Sequence, residues 1–297
     1  MNLSPIVFSV FGNEPLADSV CQQLGGEMGK MRIHTFPDEE SSIEIKTLIK
    51  NRELIFIVNL CHPNAKILPL LFAADTARTL GAKKITLVSP YLPYMRQDIQ
   101  FHPGESITSH YFSKLMSLYF DGLVTIDPHL HRIHDLNEIY SIPAKALHAT
   151  ACVGKWIKTH VPDGILIGPD EESSQWVSEI AASTHMPFTI LDKIRYGDHQ
   201  VDVSLPRIEP YHIYTPILVD DIISTANTMI ETVVHLKSLH MKPPICIGVH
   251  ALFSGDAYDK LCHAGVARVV TCNTIEHASN QIDVAEIIVA ELSQMKI

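Results

Sequence analysis

Short apolar runs separated by helix-length segments recur from one end of the chain to the other, and this rhythm restricts the fold more than any other feature. Parallel strands buried on both faces read as continuous apolar runs, and each needs a crossover, usually helical, before the next strand. In the first half the runs are Ile6–Phe11, Met31–Thr35, Ile43–Ile45, Leu54–Val58, Ile85–Val88 and Leu123–Ile126. Pro63-Asn64 opens a helix that Gly81 closes, and Thr108 is a candidate cap for another, reaching to about Leu118. The second half repeats the grammar with Ala146–Leu147, Ile165–Ile167, Phe188–Leu191, Ile217–Val219, Ile245–Val249 and Arg268–Val270. Ser141-Ile142-Pro143 separates the halves, because proline holds its predecessor extended and a new apolar run follows at once. The expectation is two α/β domains, 1–143 and 144–297, each a mainly parallel sheet flanked by helices. Their likeness suggests duplication.

The 297 residues, 46% of them hydrophobic, suffice for two ordinary cores. Thirty-three acidic against 23 basic side chains give a formal charge of −10 without any basic block, which argues against nucleic acid or an anionic membrane as partner. A phosphate ligand would need helix N-termini, metal ions and a few placed cations. No apolar run approaches the ~20 residues of a membrane span. Met1-Asn2-Leu3-Ser4-Pro5 lacks the basic start of a secretion signal. The six cysteines stand singly, as expected of buried thiols in a reducing cytoplasm.

Residues 217–229 carry the strongest motif: Ile-Leu-Val-Asp-Asp-Ile-Ile-Ser-Thr-Ala-Asn-Thr-Met. A buried strand here delivers Asp220 and Asp221 to the carboxyl edge of a sheet, where open α/β folds bind ligands. Ser224, Thr225, Ala226, Asn227 and Thr228 then supply backbone N–H groups and hydroxyls at a helix N-terminus, an anion site. Carboxylates that accept hydroxyl protons beside an anion site suit a sugar phosphate. The bland alternative is a helix start whose acids only face solvent.

On this motif the chain resembles the type I phosphoribosyltransferases, whose loop reads Val-Asp-Asp-x-Ile-(Asp/Ser)-Thr-Gly-Gly-Thr. Within them it resembles the ribose-phosphate diphosphokinase family, with Ser224 as in the archaeal-type branch. Five further stretches match in order. Phe36-Pro37-Asp38-Glu39-Glu40 resembles Phe-Pro-Asp-Gly-Glu, which in the family reaches the ATP of a neighbouring subunit. Pro90-Tyr91 through Arg96-Gln97-Asp98 resembles a run whose Arg and Gln contact ATP. Thr125-Ile126-Asp127-Pro128-His129 resembles Thr-x-Asp-x-His, whose His serves ATP-bound magnesium. Lys193 and Arg195 fall where the family has its catalytic Lys-x-Arg, and Val249–Gly255 resembles a stretch after the following strand. The resemblance implies two phosphoribosyltransferase-type domains with the site between them, a homo-oligomer (dimer or larger) and a cytoplasmic enzyme. The activity it implies is transfer of diphosphate from ATP, with Mg2+, to ribose 5-phosphate. Phe36, Asp38, Glu40, Arg96 and Gln97 would hold ATP, and His129 and Asp170 magnesium. Lys193 and Arg195 would carry the chemistry; Asp220, Asp221 and Ser224–Thr228 would hold the sugar phosphate. The alternatives are a non-catalytic regulatory paralogue, or a phosphoribosyltransferase that consumes phosphoribosyl diphosphate.

Transfer of a diphosphoryl group gathers negative charge, so cations, metal and alignment matter more than a strong base. Arg96 suits a bidentate clamp, Lys193 a mobile point charge, and Gly197 marks a loop able to close. His129, His131 and His134, with Asp127 and Asp135, invite a zinc reading. No cysteine lies nearby to complete such a set; His129 is retained because it alone matches the metal-serving histidine of the family that the chain resembles. Gly168-Pro169-Asp170-Glu171-Glu172 opens a helix with acids, which either recruit metal or weaken diphosphate binding. Glu39, the stretch Glu171–Ser173 and the pair Ala226-Asn227 all stand where the family has glycine. Asn227 tolerates left-handed backbone better than Ala226, so the phosphate loop either differs in shape or carries strain.

Overall fold

The first apolar run forms β1 (Ile6–Val10), which lies fully inside a parallel sheet because neighbouring strands flank it on both sides. After it come α1 (Glu14–Gln23), β2 (Glu27–Met28), β3 (Met31–Thr35), β4 (Ser41–Ile45), β5 (Glu53–Val58) and α2 (Asn64–Thr79). Then follow β6 (Lys84–Ser89), α3 (Thr108–Tyr119), β7 (Gly122–Ile126) and, past a 3₁₀ turn at Leu136–Glu138, β8 (Ala144–Leu147). The second half runs α4 (Thr150–His160), β9 (Gly164–Gly168), α5 (Ser174–Thr184), β10 (Phe188–Ile190), β11 (Asp192–Tyr196) and β12 (Gln200–Ser204). It continues through β13 (Thr215–Ile223), α6 (Asn227–Ser238), β14 (Ile245–Ala251), α7 (Ala257–His263), β15 (Arg268–Cys272), β16 (Asn280–Ile282) and α8 (Ala285–Gln294). This computed structural model describes residues 4–168, 173–196, 200–204 and 212–295.

Two sheets of six strands result, ordered β2-β1-β5-β6-β7-β8 and β10-β9-β13-β14-β15-β16, with every pair parallel. Counted along each half, the two orders are identical. Each half also inserts an antiparallel ribbon at the same place, β3–β4 in the first and β11–β12 in the second. Repetition to that depth is the signature a duplication would leave.

In the sequence, 31–35 and 43–45 resemble the other runs. They pair instead with each other, Ile33 opposite Ile43, outside the sheet. Their half-exposed alternation was the clue, since Met31, Ile33, Ile43 and Ile45 turn to the core while Arg32, His34, Ser42 and Glu44 do not. Another difference lies at the start of α3, where Thr108 is the first helical residue and Ile107 precedes it without a side-chain cap. Gly81, at φ 87°, does close α2.

The chain divides into two units, Met1–His148 with Thr274–Glu276 and Val284–Ile297, and Ala149–Asn273 with His277–Asp283. Strand β8 and helix α8, both beyond residue 143, thus belong with the first unit; β8 pairs with β7, and α8 packs on α1. The first core gathers around Phe8, Phe56 and Phe120, stacked edge to face. The second gathers around Leu218, Met229, Val233 and Leu236. Cys21, Cys61, Cys246 and Cys272 are buried, but Cys152 is only half-buried and Cys262 is exposed, so the thiols are not uniformly interior. Among the described residues no helix is long and apolar enough to cross a membrane.

Candidate active site

In the second unit, β13 runs four residues further than its apolar core, to Ile223, so Asp220 and Asp221 lie within the strand's last turns of pleat. Both are half-buried. The Asp220 carboxylate accepts the Asp221 N–H at 3.0 Å, and the Asp221 carboxylate accepts the Ile222 N–H at 2.7 Å. These bonds fix the side chains, and because neighbouring strand residues alternate faces, the two acids flank the following loop from two sides. Ser224 and Thr225 lead to Ala226, the residue before α6, at φ 60° and ψ 6°. Asn227 is the first helical residue. By residue type Asn227 tolerates left-handed backbone better, but Ala226 adopts it instead, at a cost of about 1–2 kcal/mol. No side chain caps α6, whose first turn presents N–H groups without intrahelical acceptors.

The loop after β14 supports this turn. Phe253 N–H donates to the Ile223 carbonyl at 2.9 Å, Ser254 N–H to that of Ser224 at 3.0 Å, and the Ser224 and Ser254 hydroxyls meet at 3.0 Å. Phe253 is backed by Tyr258 and His277, with ring centroids 5.1 and 4.7 Å away. Burial pushes the His277 imidazole below its ordinary value, as suits an aromatic cluster. Ser254 lay inside a matched stretch, yet nothing in its type announced this role.

Lys193 and Arg195 occupy β11, opposite Val203 and Val201 of β12, two residues apart and therefore positions of one face of the ribbon. Asp170, with Pro169, Glu171 and Glu172, lies outside the described residues, as does Gly197.

In the first unit the ATP-side candidates sit on two elements. Phe36, Asp38 and Glu40 form the tip of the β3–β4 ribbon, closed by Phe36 N–H to the Glu40 carbonyl at 2.7 Å and Glu39 N–H to that of Phe36 at 2.9 Å. Glu39 takes φ 69°, so it keeps the backbone that glycine would favour. Phe36 stands exposed, its ring edge-on to His34 at 4.7 Å. Arg96 and Gln97 lie in the long connection between β6 and α3. Glu105 organises that connection, accepting from Gln97 Nε2 at 3.2 Å and from the N–H groups of Phe101 and His102 at 3.0 and 3.1 Å. Tyr94, whose phenol burial pushes up, hydrogen-bonds Asn64 at the start of α2.

His129 follows β7 by way of Asp127, a buried carboxylate that meets His148 Nδ1 at 2.9 Å. His129 and His131 approach Nε2 to Nε2 at 2.6 Å, whereas His134 is exposed. Among the described residues no three His, Cys, Asp or Glu side chains are grouped to hold a metal by themselves. Glu105, His148 and Arg132 do not stand out in the sequence. Arg132, three residues past the stretch that ends at His129, reaches Asp98 at the end of the stretch that carries Arg96 and Gln97. None of the three belonged to a residue pattern with an evident chemistry.

The family model for the N-terminal domain of ribose phosphate pyrophosphokinase matches residues 5–119, and that for the phosphoribosyl transferase domain matches residues 135–287. A ribose-phosphate pyrophosphokinase of Deinococcus radiodurans is 28% identical over 285 residues, covering 94% of this chain and 87% of the relative. Another, of Saccharolobus solfataricus, is 28% identical over 282 residues, with 93% and 94% covered. One of Methanopyrus kandleri is 25% identical over 284 residues, with 94% and 96% covered. In fold, the chain is similar to the crystal structure of phosphoribosylpyrophosphate synthetase from Mycobacterium smegmatis, with a TM-score of 0.84, 20% identity, and 98% and 99% of the two chains covered.

Proposed function

The chain belongs to the phosphoribosyl transferase family and carries the N-terminal domain of ribose phosphate pyrophosphokinase before it, and from that premise we propose that it makes phosphoribosyl diphosphate. The observation that carries this reading is the division of labour between two units of one topology. The second has acids leading into an uncapped helix start, suited to a sugar phosphate, and the first has an enlarged loop bearing Arg96 and Gln97.

Ribose 5-phosphate places its phosphate on Ser224–Thr228 and the N-terminus of α6, while Asp220 and Asp221 accept hydrogen bonds from ring hydroxyls. Arg96 and Gln97 hold the nucleotide phosphates, and Phe36, Asp38 and Glu40, contributed by a second copy in a dimer or larger assembly, complete its site. The anomeric oxygen attacks the β-phosphorus of ATP. The bond from that phosphorus to the oxygen bridging the α-phosphorus breaks, AMP leaves with the bridging oxygen, and the hydroxyl proton is released. Lys193 and Arg195, carried on a ribbon rather than in the sheet, approach the transferred group and oppose the charge it gathers.

The donors on the nucleotide side fit a magnesium ion that arrives on ATP, because Mg2+ takes most ligands from water and phosphate oxygens and needs only one or two from protein. His129, two residues after the buried Asp127 that pairs with His148, is the described candidate, and Asp170 is the second. When bound, the ion neutralises phosphate charge.

The test is to incubate the pure chain with ATP, Mg2+ and ribose 5-phosphate and follow products by phosphorus NMR. AMP and phosphoribosyl diphosphate in equal amounts are expected. A chain that makes neither, or that instead consumes phosphoribosyl diphosphate without ATP, overturns the reading.

A further inference from the structure

We propose that the Asp98–Arg132 pair is a positioning device that locks the arginine loop and the histidine loop of the first unit into one register, so that nucleotide binding depends on it. The inference rests on the nucleotide reading of that unit and adds two residues to it, neither of which touches substrate.

Asp98 directly follows Arg96 and Gln97 in a connection without helix or strand, a place where a side chain is ordinarily solvated. Its carboxylate is nevertheless almost fully buried, with the side chain 4% exposed against 52% for Arg132. Both oxygens are used by one partner: Oδ1 accepts from Arg132 Nη1 at 2.9 Å, and Oδ2 accepts the Arg132 backbone N–H at 3.2 Å. A carboxylate that grips side chain and backbone of one residue fixes the path of the chain, as well as a charge. The Arg132 guanidinium also lies over the Phe101 ring, 5.8 Å from its centroid.

Each loop is otherwise anchored. Glu105 ties Gln97 to Phe101 and His102, and Ser109 N–H donates to the Gln97 carbonyl at 3.3 Å, so Gln97 and Asp98 move with the start of α3. The histidine loop is held at its near end by Asp127 N–H to the Leu147 carbonyl and by His148 on the Asp127 carboxylate, both at 2.9 Å. Its far end is held at Arg132 by Asp98. The short span between these two buried carboxylates carries His129 and His131. Exposed ion pairs contribute little, but removing one partner of a buried carboxylate leaves an uncompensated charge or forces the loop to open. Either outcome moves Arg96 relative to His129, and two groups that must meet one Mg-nucleotide lose their fixed spacing.

The experiment titrates Mg2+ with α,β-methylene-ATP, which cannot be cleaved at the reacting bond, onto the full chain by calorimetry, and measures KM for ribose 5-phosphate in parallel. Arg132→Gln and Asp98→Asn should each weaken nucleotide binding tenfold or more, with the KM for ribose 5-phosphate changed less than twofold. Their combination should be no weaker than the weaker single variant, because both remove one link. Arg132→Lys keeps the charge and the fold but loses the fork. It should shift nucleotide affinity at least threefold, and it serves as the test if the other variants do not fold. Unchanged nucleotide affinity in Arg132→Lys or in folded Arg132→Gln overturns the proposal, as does an equal loss for both substrates, which would mean general loosening. If the parent chain binds no Mg-nucleotide, the reading of the first unit falls and this inference with it; a parent that binds beside indifferent variants sinks this inference alone.

Discussion

The two units share strand order and ribbon placement, yet the same topological position is built differently in each. After β13 the chain passes Asp220, Asp221 and a left-handed Ala226 at φ 60° into α6. After β5, at the corresponding point, it passes Asn59 and a left-handed His62 at φ 54° into α2. The backbone device is retained in both. In the first unit, however, the turn is closed on itself: Asn59 Oδ1 accepts the Cys61 N–H at 3.1 Å and Lys66 Nζ donates to the Asn59 carbonyl at 2.8 Å. Lys66 is half-buried, and burial lowers its pKa. The first unit instead lengthens the next connection, between β6 and α3, and puts Arg96 there. A repeated scaffold thus specialises by choosing which edge loop to open, while its strands stay unchanged.

The largest expected effect tests which unit carries the chemistry. Lys193→Ala, on the ribbon of the second unit, should lower turnover by two or more orders of magnitude, about 3 kcal/mol of transition-state stabilisation. Nucleotide affinity should change far less. Lys66→Met in the first unit, by contrast, should leave turnover within threefold. Steady-state AMP formation measures both, and the reverse ranking would show that the closed turn, rather than the ribbon, serves the reaction.

A smaller effect separates the binding roles. Asp221→Asn should raise the KM for ribose 5-phosphate about tenfold, roughly 1.4 kcal/mol, while leaving that for ATP nearly unchanged. Arg96→Ala should do the opposite. If either variant affects both substrates equally, the units do not divide the substrates as argued.

How far the sequence announced this division depends on whether a residue acts through its neighbours in the chain or through distant ones. The parallel strands were legible because burial on both faces leaves an apolar run, and the turn from β13 into α6 because acids, hydroxyls and a helix start are contiguous. The β3–β4 ribbon was legible only in part, since its alternation marks a strand but not which strand it pairs with. Arg132, His148 and Ser254 were invisible: each bonds to a residue at least 21 positions away, and no local pattern records such a partner. The positive φ at Ala226 was anticipated as a strain, but placing it there rather than on Asn227 required the helix boundary.

The smallest effects concern residues standing where the family has glycine, and here the two units should respond differently. Glu39 and Ala226 both hold left-handed backbone, at φ 69° and 60°, so replacing either by glycine relieves strain of about 1–2 kcal/mol. Glycine also widens the unfolded ensemble, which takes back roughly 0.4–1 kcal/mol. Glu39 is exposed, so little else changes, and Glu39→Gly should stabilise the chain by up to about 1 kcal/mol in urea unfolding. Ala226 is 7% exposed and packs in the second core, so Ala226→Gly also forfeits a buried methyl, roughly 0.8 kcal/mol. Its net effect should therefore lie near zero. Asn227 is already helical, and glycine there only weakens the first turn of α6, by less than about 1 kcal/mol. The double variant Ala226→Gly with Asn227→Gly should thus bind ribose 5-phosphate no better than the parent, and several-fold worse if the preformed turn matters, because a looser loop must order on binding. A parent with almost no AMP formation, rescued by these two glycines, would reverse the argument: Ala226 would then mark decay of the sugar-phosphate loop in the second unit, while the first unit kept its ribbon intact around Glu39.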